Sequence, residues 1–129
     1  MPLLVPISVG ELFDKISILE LKERAITDPA RRANVTRERA ALEAVRRRDV
    51  PSTAELEVLY AKLREVNRAL WEVEDELRAR EREGAFDGGF VELARRVYRD
   101  NDRRAHIKRQ INELTGSEII EEKSYQRPI

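Results

Sequence analysis

The stretch TAELEVLYAKLREVNRALWEVEDELRARERE, residues 53–83, decides the fold. Leu56, Leu59, Leu63, Val66, Leu70, Val73 and Leu77 recur at alternating spacings of three and four. That period belongs to one long α-helix with an apolar seam, as in an antiparallel helical hairpin or a coiled coil. Ser52-Thr53-Ala54-Glu55 reads as the capping box that opens it. Gly84 and the Asp87-Gly88-Gly89 turn end it. Each seam residue, fully buried, contributes about 1.5–3 kcal/mol of transfer free energy before the entropy of ordering is subtracted.

On the C-terminal side, a further helix is expected from about 90 to 115, with Gly116 as its stop. Its first half is apolar on one face through Phe90, Leu93, Ala94 and Val97. Beyond Val97 the same face is taken over by Asn101, Arg104, Lys108 and Asn112, all within about 60° of the direction of Val97. Cations and amides aimed where a core should be must be paired or used. Two readings stay open for these four residues. One is a set of structural ion pairs, with Glu23 and Glu38 as candidate partners because they too interrupt apolar stripes. The other is a ligand-binding pocket for an anionic metabolite such as a sugar phosphate or nucleotide. There the Arg104 fork, the Lys108 point charge and the two amides would hold a carboxylate or phosphate. Clustering of Glu118, Glu121 and Tyr125 near the stripe would favour the pocket, which Tyr98 and Tyr125 would wall.

On the N-terminal side, Thr27-Asp28-Pro29 divides two helices, expected at about 9–26 and 29–48. Ser8-Val9-Gly10-Glu11 is the capping box of the first. Leu12, Ile16, Leu19 and Ile26 form its stripe, while Phe13, Ile18 and Leu21 lie off it, so the helix is apolar over more than one face. Such a helix is central, or is covered by a partner. The second helix has only the thin stripe Val35, Leu42, Val45 and is expected at the periphery. Pro2 and Pro6 keep Leu3 to Ile7 extended, and this segment is the expected neighbour of Ile119 and Ile120 in the 117–129 tail.

Composition narrows the function classes. The 129 residues include 25 basic and 25 acidic side chains, which gives no net field to attract nucleic acid or an acidic membrane. The arginines of the second helix (Arg31, Arg32, Arg37, Arg39 and Arg46 to Arg48) point in all directions and lack interleaved aromatics. Cysteine is absent, which removes disulfides and thiolate chemistry. The sole histidine, His106, lies opposite the Val97 direction and is expected in solvent. No signal segment or membrane span is legible, so a cytoplasmic protein is expected. Metal binding would require Glu20, Glu23, Glu72 and Asp75 to converge; the arginines nearby are ordinary partners for them, and no metal, cofactor or catalytic residue is assigned. The expected architecture is a single all-α domain, a helical bundle built on a long antiparallel hairpin with a short extended N-terminal segment.

Several segments resemble an uncharacterised family of short bacterial and phage proteins, a domain of unknown function. These are Val9 to Glu20, Val66 to Asp75, Tyr98 to Arg104, Lys108 with Ile111 and Asn112, and Glu121 to Tyr125. The resemblance spans nearly the whole chain. It implies an association with surface-sugar synthesis and no assigned activity. From the residues themselves, the expectation is a non-enzymatic interaction or assembly protein with a possible protein partner. The expected form is a homodimer that buries Trp71 or the Phe13/Ile18/Leu21 face. The alternative is a small helical enzyme or binding protein for an anionic metabolite.

Overall fold

Four α-helices make up the computed structural model, which describes residues 1–124. They are α1 (Val9–Ala25), α2 (Pro29–Asp49), α3 (Ala54–Glu83) and α4 (Gly88–Thr115), with no strand among the described residues. The chain is all-α. Each helix starts on a side-chain oxygen that satisfies an orphan backbone N–H. Ser8 accepts from Glu11 N at 3.0 Å, Asp28 from Arg31 N at 2.9 Å, and Asp87 from Phe90 N at 3.1 Å. At α3 the cap is Thr53, which accepts from Leu56 N at 3.1 Å. The box read at Ser52 is therefore one residue out of register, and Ser52 instead donates to Glu57 at 3.4 Å. Asp87 also starts α4 at Gly88, ahead of the expected Phe90.

α3 and α4, joined by residues 84–87, share the largest helix–helix interface. α1 lies across both and carries α2 on its other side. Leu12, Phe13 and Ile16 of α1 pack among Leu56, Tyr60, Leu63 and Val66 of α3 and Ile107 and Ile111 of α4. Phe13 meets Tyr60 edge to face, with ring centroids 5.0 Å apart. The Arg46 guanidinium of α2 sits 5.2 Å and 5.1 Å from those two rings. Phe13 is thus fully buried inside the chain, and Ile18 and Leu21 are half-buried. Phe13 itself is closed to a partner, because Tyr60 and Arg46 already cover its ring.

The core ends abruptly. α1 meets α3 at Tyr60, Arg64 and Asn67, and α4 at Arg104, Lys108 and Asn112. Past Asn67 and before Arg104, the rest of α3 and α4 projects as a bare pair of helices, about 24 Å long at 1.5 Å per residue. Leu70 and Val73 are buried between the two, apart from the main cluster. Trp71, Leu77, Phe90, Leu93, Ala94 and Val97 remain only half-buried. The N-terminal segment and the tail, expected to bury one another, both keep apolar side chains in solvent. Leu3 and Leu4 are more than nine-tenths exposed, and Ile119 and Ile120 keep about two-fifths of their surface in solvent.

Candidate functional site: an ion-pair hub joining three helices

The N-terminus of α1 abuts the last turns of α4. Three of its backbone N–H groups have side-chain acceptors: Val9 N donates to Ser117 Oγ at 3.1 Å, Gly10 N to Asn112 Oδ1 at 2.6 Å and Glu11 N to Ser8 Oγ. Asn112 therefore acts as a long-range helix cap, so the positive end of the α1 dipole is already occupied. Gly10 makes this contact possible. A Cβ built on it would lie 2.5 Å from the Lys108 carbonyl oxygen and 3.0 Å from Asn112 Oδ1.

One turn further along α1 stands Asp14, only 1% exposed. Its carboxylate accepts from Arg104 Nε at 2.9 Å, from Arg104 Nη2, and from Asn67 Nδ2 at 2.9 Å. Lys108 Nζ lies 3.8 Å away. Asn67 also donates to Ser17 Oγ at 2.7 Å, and Ser17 in turn donates to the Asp14 carbonyl at 2.9 Å. Lys108 makes its shortest bond to Glu11 at 2.6 Å and a further pair with Glu121 at 3.3 Å. Glu11 has Lys15 at 3.7 Å. Three carboxylates thus face three cations, and α1, α3 and α4 are joined through one buried group. The bidentate Arg104–Asp14 fork is the arrangement that best offsets the cost of taking two ions out of water.

Burial pushes the Asp14 carboxyl upward, but the hydrogen bonds from Arg104 and Asn67 and the charges of Arg104 and Lys108 outweigh it and hold it below the ordinary carboxyl value. Burial likewise pushes the Lys108 ammonium down, and is outweighed by the Glu11 hydrogen bond and the Asp14, Glu11 and Glu121 charges, so it stands above its ordinary value. The signs fix a window. A carboxyl lowered in the folded state adds stability that is present above its unfolded pKa, near 3.8, and is lost as pH falls through the folded value. An ammonium that is raised adds stability that is present below its unfolded pKa, near 10.5, and is lost as pH rises through the folded value. We expect urea unfolding to show a plateau between these limits. The loss of stability below about pH 4 should be shallower in Asp14→Asn than in the unmodified protein. An equally steep acid limb in that variant would assign the acid sensitivity to other carboxylates.

Of the four residues expected on the polar face, three join this region. Arg104 and Lys108 enter the ion-pair group, and Asn112 caps α1. Asn101 does not: it is exposed, and the buried residue beside it is Asp100. Asn101 lies short of the stretch of α4 that α1 reaches, which begins at Arg104. Glu121 arrives as a counter-ion to Lys108, Glu118 is exposed, and Tyr125 lies outside the described residues. Tyr98 is three-fifths exposed.

Glu23 and Glu38, the suggested partners, do not reach the group. Glu23 binds Arg39 at 2.8 Å and Glu38 is exposed. Glu20, Glu23, Glu72 and Asp75 do not gather. Glu20 holds Arg64 and the Tyr60 hydroxyl, while Glu72 holds Arg68 at 2.7 Å. Tyr60 is pushed upward by burial and by the neighbouring Glu20 charge, and stays a neutral donor. His106 is exposed.

Sequence reasoning missed Asp14, Ser17 and Asn67. Their signal was the one read in α4: a polar residue set among buried apolar ones, Asp14 between Phe13 and Ile16, and Asn67 beside Val66.

The model of a family of unknown function, DUF6165, matches residues 3–129, and the chain belongs to that family. No curated protein and no solved structure matches it. Among the described residues, no helix is long and apolar enough to cross a membrane.

Proposed function

We propose that this DUF6165 member is a non-enzymatic assembly protein that associates with a second copy of itself through the projecting ends of α3 and α4. The observation that carries this reading is the half-burial of Trp71, Leu77, Phe90, Leu93 and Val97 on a two-helix projection. A pair of helices closes the seam between them and leaves both outer sides open. A second pair laid on one side completes a four-helix bundle. The ion-pair hub supports a structural role over an anion-binding one, since its cations already face carboxylates of the same chain. An incoming anion would have to displace Asp14, Glu11 or Glu121.

Light scattering is expected to return about twice the 15.0 kDa chain mass at ~20 µM. Val97→Glu should return the single-chain mass with helicity intact. A single-chain mass for the unmodified protein overturns the reading. A melting temperature raised several degrees by phosphate or a sugar phosphate, and not in Arg104→Met or Lys108→Met, would instead favour the anion-binding alternative.

A further inference from the structure

The inward face of α2 alternates between apolar and cationic side chains. Val35, Arg39, Leu42 and Arg46 follow one another at spacings of four, three and four, which puts all of them on one side of the helix. Of the 21 residues of α2 only Val35 is buried, while Leu42, Val45 and Val50 are half-buried against the core. Charge supplies much of the grip. Arg39 donates to Glu23 of α1 at 2.8 Å and to Glu20 at 3.5 Å. Arg46 reaches Glu57 of α3 at 3.4 Å and lays its guanidinium over the Phe13 and Tyr60 rings. Glu43, within α2, pairs with both arginines and keeps them on that side.

The fit is incomplete. Arg39 Nε is buried with no hydrogen-bond acceptor among the described residues. An open cleft of about 430 Å³ lies at the C-terminal end of α2, lined by Glu43, Arg46, Arg47, Val50, Pro51 and Ser52. Both ends of the helix run into extended backbone, at Ile26 and Asp28 on one side and at Val50 and Thr53 on the other. The other three helices are joined without α2. α1 is tied to α3 through Arg64, the Tyr60 hydroxyl and Asn67, and to α4 through Arg104, Lys108 and Asn112. The backbone of α2 lies against α1 alone. A helix with few buried apolar contacts, extended connections at both ends and partly solvated ion pairs belongs at the low end of local stability. We propose that α2 is an ionic latch: it opens as one unit on its two extended connections and bares the side of the Phe13 and Tyr60 rings that Arg46 covers, while α1, α3 and α4 stay together. Arg39 keeps 34% of its side chain in solvent and Glu57 43%, so water takes over these pairs at small cost and salt weakens them.

Native-state amide exchange tests the latch. In the unmodified protein, protection factors across residues 35–46 should be at least about tenfold lower than across 60–66 and 107–111. Arg39→Ala should lower them at least about tenfold further and leave the other two stretches within about threefold. Arg37→Ala, on the exposed side of the same helix, should leave all three stretches within about threefold. Raising salt from about 50 mM to about 500 mM should widen the gap between α2 and the other stretches at least about threefold. Equal protection in the three stretches, or an Arg39→Ala variant that leaves α2 unchanged or lowers all three together, overturns the proposal, since α2 would then open only with the whole molecule. A gap that stays level or narrows with salt overturns it too. Should Arg39→Ala lose its helicity, the gap in the unmodified chain and its growth with salt decide.

Discussion

Replacing Asp14 by alanine is expected to cost about 3–5 kcal/mol of folding stability, the range for breaking a buried ion pair by deleting one partner. The carboxylate is buried and, among the described residues, is the only ion-pair partner of the Arg104 guanidinium. Its removal leaves Arg104, 29% exposed, facing an apolar gap, and takes from Asn67 one of its two acceptors. Lys108 keeps Glu11 and Glu121, so the damage centres on Arg104. Partial exposure lets that side chain swing toward water, which places the expected value near the lower end, about 3 kcal/mol. A domain of this size is stable by about 5–15 kcal/mol in all, so the loss is a large share. Urea midpoints read it directly. The double change Asp14→Leu with Arg104→Met should recover most of it, because a buried pair and an apolar pair of similar volume differ little in net stability. A cost under about 1 kcal/mol for Asp14→Ala would show that the pair behaves as a surface ion pair and contributes little to joining the three helices.

Gly10→Ala should be nearly as severe, although alanine is the better helix former by about 1 kcal/mol. The added carbon would stand 2.5 Å from a backbone oxygen of α4, which has no rotamer by which to retreat. Overpacking of this kind costs about 1–3 kcal/mol, and prising α1 from α4 strands the buried Gly10 N–H and Asn112 Oδ1 for about 1–3 more. With the propensity gain subtracted, a net loss of about 3 kcal/mol is expected. Gly89→Ala supplies the contrast. Its Cβ would also come within 2.5 Å of an atom, but that atom is the Arg80 guanidinium tip, which can move aside. Thermal melts of the two variants should therefore differ by many degrees at Gly10 and little at Gly89. Similar melts for both would mean that α1 shifts on α4 at little cost.

Both sites show where reading the sequence stopped. Period and capping chemistry are local, and they carried far. The seam of α3 with buried Leu56, Leu63, Val66, Leu70 and Val73 follows from spacing alone, and the caps Ser8 and Asp28 follow from side-chain type one turn from the first N–H. On α4 the replacement of apolar residues by Arg104, Lys108 and Asn112 marked the right region of the molecule. The partners were not legible. Asp14 is 90 residues from Arg104 and 53 from Asn67, and nothing in local spacing ties an aspartate in one helix to an arginine in another. Glu23 was the expected partner because it interrupts an apolar stripe, while Asp14 was not singled out at all. The direction of α1 across the α3–α4 pair sent Glu23 to Arg39 on the far side.

By itself, then, the sequence determined what depends on residues within a few turns of one another: an all-α chain, where its helices start and stop, and which face of each is apolar. The tertiary structure alone decided which charged groups meet and which surfaces stay open. Ion pairs between helices depend on crossing direction and depth. Those are set by packing events such as the close approach at Gly10, where the lack of a single Cβ lets α1 rest on the Lys108 carbonyl. The bare end of α3 and α4 arises in the same way. Its residues follow the same heptads as the buried half, and it stays uncovered because α1, only 17 residues long, crosses the pair and does not run along it.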